Sequence, residues 1–282
     1  YLQGTFKAEF AYFDQSNSWF GKDIENLGAR SDDWWESVIH TGIEGSYFFS
    51  EDSGEVYGRV SAVNANTENT NAAGFPEGSG NNTSRTRVEH AYVGWRSGNL
   101  FQSLGKDFLD ISFGRQQYVA GNGFLFYNQS SNSGNRGGYW IGERKSAKYA
   151  GIARLNLGDL KTDLLYFAAD DNPDSDTKVG GVTLDYSFGE KIGGIGGGYY
   201  HVTSDIETRD SMNVFDLRFD MKPLEAFNVP AALKPVEFAG EYVYEDNDDQ
   251  LEASGWYLST GYKWDSMAWK PGLTYRYASF EG

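Results

Sequence analysis

The stretch FLDISFGRQQYVAGNGFLFYN, residues 108–128, carries the pattern that decides the fold. Leu109, Ile111 and Phe113 alternate with Asp, Ser and Gly, and successive side chains of a β-strand point to opposite faces. The pattern therefore predicts a strand with one apolar face and one small, polar face. A Gly-Arg-Gln sequence ends this strand, and a segment rich in Gly, Asn and Ser follows to about Lys145.

The same alternation recurs along the chain and predicts an all-β fold of about thirteen strands. Tight turns such as Gly158-Asp159 separate some of these strands, as in β-hairpins. The facing of the fourth strand, which carries Arg87 and Glu89, stays ambiguous at this level. The predicted strands are residues 5–13, 36–49, 56–63, 86–96, 108–114, 148–157, 160–169, 179–188, 192–202, 212–221, 236–245, 256–264 and 269–280.

The average composition hides this alternation. The chain has 282 residues, a formal net charge of −16, no cysteine, 16% aromatic residues and a mean hydropathy of −0.56. No segment approaches the roughly 18 apolar residues of a membrane-spanning helix, but a barrel strand in lipid needs only its outward half to be apolar. The acidic charge argues against nucleic acid as a partner, because phosphates require a basic face. The absence of cysteine suits passage through an oxidising periplasm.

Two further features predict how the strands are arranged. Connections after odd strands tend to be long or acidic and those after even strands short, with residues 97–107 and 222–235 as exceptions. Aromatic residues gather near strand ends, as at Tyr47 to Phe49 and at Tyr242 and Tyr244. Both features are typical of an antiparallel up-and-down transmembrane β-barrel in the bacterial outer membrane. A soluble β-sandwich or β-solenoid, with one buried face per strand, is the alternative.

Three short motifs resemble those of the alginate-export family of outer-membrane channels. They are Glu89 with Ala91-Tyr92-Val93, the Ile-Ser-Phe-Gly-Arg-Gln of residues 111–116, and the Pro-Gly-Leu-Thr-Tyr-Arg-Tyr-Ala of residues 271–278. The resemblance implies a channel of the porin superfamily with about eighteen strands. Residues 1–282 are then expected to form one barrel domain, the N-terminal part of a larger barrel whose closing strands are missing.

The inward faces of the predicted strands carry charges of both signs. Guanidinium groups match carboxylates, so the arginines are the expected solute contacts, whereas ladders of opposite charge stiffen a pore wall. Most of the inward charges can equally be wall ion pairs without a role in solute binding. The predicted pore-lining residues are Arg59, Arg87, Arg154, Arg218, Arg276, Glu44, Asp163, Asp185 and Lys263.

Arg115 and Gln116 end the strand quoted above. Strict alternation places Arg115 in phase with Phe113, on the lipid side. Two readings remain open: Arg115 lies at the rim and extends its head group to water, or a bulge turns it inward.

An enzyme is not expected. His40, His90 and His201 are the available histidines, and none is accompanied by a serine or aspartate motif at a spacing typical of a catalytic site. The acidic loops of residues 170–176 and 245–249 could hold calcium, but they lack the glycine and the final glutamate of an EF-hand. We therefore expect no cofactor or metal, and solvated loops that divalent ions could bridge to lipopolysaccharide.

The expected function is an outer-membrane channel for passive passage of an anionic or sugar-like solute. The many inward carboxylates do not fit a polyuronate, so the solute stays defined only by class. The expected partners are outer-membrane lipid, lipopolysaccharide and a small anionic or saccharide solute, with a periplasmic partner left open. The alternative function is a soluble or surface-attached β-sheet protein that binds carbohydrate.

Overall fold

The computed structural model describes residues 1–15, 32–68, 82–132, 134–189, 191–225, 227, 229–248, 250–264 and 267–281. The connections predicted between the first two strands and between the third and fourth lie largely outside the described residues, as do Glu190 and Asp249.

Strands dominate the described part of the chain, accompanied by three one-turn 3₁₀ helices, Gly134–Arg136, Pro223–Glu225 and Ala231–Leu233. The strands are β1 (Leu2–Gln15), β2 (Asp32–Ser50), β3 (Gly54–Glu68), β4 (Thr83–Arg96), β5 (Leu109–Arg115), β6 (Tyr149–Leu157), β7 (Leu160–Ala168), β8 (Lys178–Ser187), β9 (Gly193–Thr203), β10 (Met212–Met221), β11 (Val236–Asn247), β12 (Leu251–Lys263) and β13 (Gly272–Glu281).

All thirteen strands belong to one sheet, and their order in the sheet is their order in the chain. Every neighbouring pair is antiparallel. The predicted all-β, up-and-down architecture is therefore confirmed, and a two-sheet sandwich is wrong. Within the described residues, β1 and β13 each pair with a single neighbour, so the sheet is open between them.

The two faces of the sheet differ in chemistry. Phe6, Phe113, Leu217 and Leu258 are 74%, 65%, 66% and 53% exposed, and in the described residues no second layer covers their face. Water would make such an apolar surface costly, whereas lipid matches it, and β2 to β12, which are paired on both edges, satisfy their backbone groups in lipid. The sheet is thus the wall of a transmembrane β-barrel, with these side chains toward the acyl chains.

The two ends of the wall carry different connections. The β6–β7 connection is a two-residue turn in which Gly158 has φ +67°, a conformation that favours glycine. The link from β5 to β6, by contrast, spans residues 116–148 and follows an odd strand. We call these the short-turn end and the long-loop end, and we call residues 116–148 the inner loop.

The inner loop is folded against the inner face of the wall. Its Phe126 lies with ring centroids 5.5 Å from Phe167 of β7 and 4.7 Å from Tyr200 of β9. The same loop contacts β1 through Glu143 and β13 through Phe124. A loop that contacts both the first and the last strand fits a sheet that curves around it, as a barrel wall does.

The inner loop also explains why β3 is longer than predicted. β3 was expected to end at residue 63 and continues to Glu68. Val63, at the expected end, and Ala65 beyond it are buried, whereas Asn64 and Asn66 are only partly buried. The apolar-outward pattern is inverted here because the inner face packs on Ile141 of the loop. Periodicity judged by outward apolar residues therefore ends too early.

No helix in the described residues is long and apolar enough to span a membrane.

The opposite faces of β12 allow a paired stability test. Leu258→Lys should destabilise the full-length protein by about 2–4 kcal/mol, because it places a charge in the lipid layer. The adjacent Ser259→Lys should cost less than about 1 kcal/mol, because Ser259 lies on the inner face. Guanidinium unfolding in lipid vesicles measures both, and equal losses would contradict the assignment of the two faces.

Candidate functional site

The inner face is lined by ion pairs between directly opposed residues. Arg59 of β3 stands opposite Glu44 of β2, with 3.8 Å between Nη1 and Oε2. Arg154 of β6 stands opposite Asp163 of β7, with 3.7 Å between Nε and Oδ2. Each pair leaves part of the guanidinium group uncovered, because the Arg154 side chain is 41% exposed and that of Arg59 24%. Four of the predicted pore-lining residues are thus brought together in pairs.

Arg218 differs from these because its guanidinium group is enclosed. It makes ion pairs of 2.8 Å with Asp185 and 2.6 Å with Asp216, and its side chain is 7% exposed. The neighbouring strand β9 makes room for this arrangement. A Cβ at Gly196 would collide with the Asp185 carboxylate, and a Cβ at Gly198 would collide with Asp216. Arg218 and Asp185 therefore have a structural role in the barrel wall.

The remaining predicted pore residues lie apart from one another. Arg87 is exposed and stands opposite Val63 of β3. Arg276 of β13 lies 4.4 Å above the ring of Tyr257. Lys263 of β12 contacts Glu237 of β11 at 3.1 Å. The predicted set therefore forms a distributed lining and not one compact site.

Gly114 breaks the alternation just before Arg115. Its φ of +132° favours glycine, and an added Cβ would collide with the carbonyl group of Ala91. After this break the Arg115 side chain is 16% exposed and donates a 2.5 Å hydrogen bond to Asp170. Gln116 is buried and accepts a hydrogen bond from Ser112. The Arg115 side chain thus lies against the loop that follows β7, whereas Phe113 stays exposed on the outer face.

A bulge settles the facing of β4. Pairing with β3 shifts register after Ser61, which leaves Glu89 as an extra residue between His90 and Val88. Glu89 is 1% exposed, and its carboxylate accepts hydrogen bonds from the backbone of the inner loop. A strand with one extra residue changes its phase midway, which is why simple alternation failed there.

Two buried carboxylates hold one half of the inner loop. Glu36 of β2 accepts N–H bonds of 2.9 Å from both Trp140 and Ile141. Glu89 accepts N–H bonds of 2.8 Å from Lys145 and Ser146. Each side chain accepts hydrogen bonds from two consecutive backbone N–H groups of the loop, so these contacts fasten the loop to the wall.

Asp170 provides a third anchor, just after β7. It accepts hydrogen bonds from Arg115 and, at 3.1 Å, from Nη2 of Arg136 in the inner loop. Burial raises the pKa of Asp170, but the Arg115 hydrogen bond and the charges of both arginines outweigh it, so the pKa lies below its ordinary value. The carboxylate stays ionised and binds the loop to two strands.

Aromatic contacts hold the other half of the loop. Phe124 lies 5.0 Å from the Tyr257 ring and stacks on Phe280 at 5.8 Å. Asn122 donates a hydrogen bond to the Tyr257 hydroxyl. Tyr118 is buried in the main apolar cluster beside Phe126. The loop is therefore an ordered bridge across the inner face, although its Gly, Asn and Ser content predicts a polar connection.

A polar chain that sequence reasoning missed connects the inner loop to three strands. Glu143 Oε1 lies 2.8 Å from His40 Nδ1, His40 Nε2 lies 2.9 Å from Ser61 Oγ, and Ser61 Oγ lies 2.8 Å from His90 Nδ1. Lys7 Nζ also contacts Glu143 at 2.7 Å. These residues are far apart in the chain, and only the register of β2, β3 and β4 brings them together, so no sequence spacing could have indicated them.

The serine of this chain is enclosed. Ser61 is 3% exposed and is not part of the lining of the cavity of about 500 Å³ that His90 lines, so its hydroxyl group is closed off from a solute there. The carboxylate–imidazole–hydroxyl geometry alone is therefore not a nucleophilic site, since a nucleophile must contact its substrate.

Cavities lie on both sides of the inner loop. Toward the short-turn end, one cavity of about 500 Å³ is lined by His90, Tyr92, Arg154 and Gln117 among others, and a second of about 390 Å³ is lined by Lys161 and others. Toward the long-loop end, a cavity of about 490 Å³ is lined by residues that include Phe124, Leu251 and Phe280. The loop thus stands between two vestibules.

The acidic loop of residues 170–176, for which the sequence leaves calcium binding open, has two of its exposed carboxylates paired with lysines. Asp174 contacts Lys148 at 2.8 Å, and Asp176 contacts Lys178 at 2.7 Å. Across the described residues, no group of three or more His, Cys, Asp or Glu residues is arranged to hold a metal ion. The second acidic loop includes Asp249, which lies outside the described residues.

The carboxylate anchor at Glu36 can be tested against a control on the same strand and face. Glu36→Gln should loosen the inner loop by about 1–3 kcal/mol, because both carboxylate oxygens accept from N–H donors and the amide NH₂ group would face one of those donors. Glu44→Gln should leave the loop unchanged, because the ion pair of Glu44 in the described residues is with Arg59 of β3 and not with the loop. Protease cleavage within residues 116–148 of the folded protein measures the loosening, and equal cleavage of both variants would contradict the anchoring role.

Acid should release the anchor at Glu143. Hydrogen bonds from His40 and Lys7 hold the pKa of Glu143 at about 2, below its ordinary value of 4.5. A lowered pKa in the folded state stabilises above the ordinary value and is lost as the pH falls through the lowered one. The loop should therefore become more cleavable by an acid protease between about pH 4.5 and pH 2. Glu143→Gln should reduce that dependence and leave the part that comes from Asp170, whose pKa is also lowered. A pH profile unchanged by the substitution would show that another group is responsible.

Comparison with known proteins yields likeness at the level of structure. No protein-family model matches the chain, and no curated protein matches it either. Among solved structures, OmpT, an outer membrane protein of Vibrio cholerae in its trimer form, is 14% identical with a TM-score of 0.41, covering 98% of this chain and 89% of that one.

Two further solved structures show the same kind of similarity. A mutant of the Rh. blastica porin is 11% identical with a TM-score of 0.43, covering 93% of this chain and 83% of that one. OccK2 (OpdF) of Pseudomonas aeruginosa, in complex with glucuronate, is 11% identical with a TM-score of 0.34, covering 99% of this chain and 92% of that one.

Proposed function

We propose that this chain forms the wall of an outer-membrane channel that passes an anionic or sugar-like solute passively, in the manner of the alginate-export-like channels. The observation that carries the proposal is the pairing of a lipid-facing apolar surface with an inner face of charged residues around open cavities. A barrel with side chains filling its interior would need no such lining, whereas a water-filled bore does.

The solute class follows from the side chains that remain available in the bore. Arg59 and Arg154 keep part of their guanidinium groups uncovered, and such groups bind carboxylates. Tyr57 and Tyr92 line the same cavity as Arg154, and aromatic rings pack against the apolar faces of sugars. Nearby Glu44 and Glu55 oppose a solute with many negative charges. These features together favour a small sugar acid over a polyuronate.

A second candidate function is carbohydrate binding without transport. The aromatic and arginine-lined cavity of about 500 Å³ favours it, because a closed pocket of this composition would bind a sugar as well. The two candidates differ in one respect: only a channel gives stepwise ionic current across a bilayer. We assign no catalytic turnover to either.

Outer-membrane lipid, and lipopolysaccharide at the long-loop end, are the proposed surroundings of the channel. The acidic residues after β7, such as Asp174 and Asp176, are exposed at that end and could be bridged by divalent cations to lipopolysaccharide phosphates. We also propose a periplasmic partner at the short-turn end, defined only as a periplasmic protein.

Planar bilayers test the channel and its selectivity together. The full-length protein should give discrete conductance steps, and Arg154→Gln should lower the ratio of anion to cation permeability about two- to threefold, because it removes a partly exposed positive charge from the bore. Lys106→Gln makes the same charge change in the exposed β4–β5 link and should leave the ratio nearly unchanged. A folded barrel that gives no steps would leave the carbohydrate-binding function.

A further inference from the structure

The polar chain from Glu143 to His90 ends in the cavity of about 500 Å³ on the short-turn side of the inner loop. His90 lines this cavity, whereas His40 and Ser61 are buried behind it. His90 Nδ1 faces Ser61, and its ring is parallel to that of His40, with centroids 5.7 Å apart. The opposite ring nitrogen, Nε2, makes no hydrogen bond within the described residues.

The hydrogen bonds of the chain determine where its protons lie. A carboxylate can only accept, so His40 Nδ1 must carry a proton and donate to Glu143. If His40 is neutral, its Nε2 accepts the proton of the Ser61 hydroxyl. Ser61 then has no proton left for His90, so Nδ1 of His90 must donate to Ser61 Oγ. In that arrangement the neutral ring of His90 presents an unprotonated Nε2 to the cavity.

The opposite arrangement requires a cationic His40. Its Nε2 would then donate to Ser61, the Ser61 hydroxyl would donate to His90 Nδ1, and the proton of His90 would sit on Nε2. Lys7 does not decide between the two arrangements, because its ammonium group is shared between Glu143 at 2.7 Å and Glu9 at 2.9 Å. The His40 side chain is 9% exposed, and the first arrangement adds no charge to it. We therefore adopt the first arrangement for the proposal.

Resting on the channel proposed above, we propose that His90 Nε2 is a hydrogen-bond acceptor for a hydroxyl group of the solute and that Ser61 and His40 are positioning residues that hold its tautomer. Arg154 lines the same cavity with a partly exposed guanidinium group, which suits a carboxylate. The ligand class is therefore a hydroxylated carboxylate, such as a sugar acid, and not a simple carboxylate without hydroxyl groups.

The tautomer itself is the first test and does not depend on conduction. Long-range proton–nitrogen NMR of the full-length protein, labelled with ¹⁵N-histidine in detergent, should show His90 at pH 7 with Nδ1 protonated and Nε2 unprotonated. The spectrum of His90→Phe assigns the signal. Ser61→Ala should turn the single tautomer into a mixture, because Nδ1 loses its acceptor. A wild-type spectrum with the proton on Nε2 would overturn the assignment.

Binding is tested by transient blockade of single-channel current with D-glucuronate and with acetate as probes. His90→Phe should shorten glucuronate blockades by about two- to tenfold, the loss expected for one hydrogen bond, and leave any acetate effect unchanged. His201→Phe is the matched control, because His201 lies on the outer face of β9 and bonds Asn213 there.

The outcomes separate the two proposals. Equal blockade in His90→Phe and His201→Phe overturns the subsite while leaving the channel intact. Absence of current in a folded wild-type protein overturns the channel, and the NMR result then still decides the tautomer. A loss of acetate effect in His90→Phe contradicts hydroxyl recognition.

Discussion

The structure depends on the hydrogen bonding of backbone amides and carbonyls that face lipid. Water is not available there, so each strand must pair with its neighbours along its length. In the described residues, strands β2 to β12 satisfy this need on both edges and β1 and β13 on one edge, in chain order and each antiparallel to the next. The alternation of side chains follows from the pleat: one face meets the acyl chains and the other meets the bore. All later features, including the ion pairs of the wall, are placed by this register.

The inner loop and the wall together form the candidate solute-binding site. Carboxylates of Glu36 and Glu89 hold its backbone, Asp170 holds its arginine, and an aromatic cluster holds its other half. The wall thus uses many of its inward charges for attachment or for cross-strand pairs, and Arg218 is the clearest example. The charges left for a solute are the partly uncovered ones, such as Arg154. Structural and solute-binding roles divide according to how completely each guanidinium group is enclosed.

Register also creates chemistry that no local sequence contains. His40, Ser61 and His90 come from three adjacent strands, and Glu143 comes from the loop laid across them. Hydrogen bonds joined in such a series restrict one another's protons, because a hydroxyl group has one proton to donate. The buried Glu143–His40 pair can therefore determine whether His90 Nε2 accepts or donates a hydrogen bond. A pore wall of this kind can distinguish a solute with hydroxyl groups from one that carries charge alone.

The sequence by itself determined the fold class, the number of strands and the inner face of most strands, because a period of two residues is a local property of the chain. It also located Gly-Arg-Gln as the end of the fifth strand, where Gly114 adopts a φ of +132°. Only the tertiary structure decided the facing of β4, since the extra residue Glu89 becomes visible against its partner strand. It likewise decided that the inner loop is ordered and which arginines are enclosed, because those contacts join residues distant in the chain, and periodicity carries no information about such contacts.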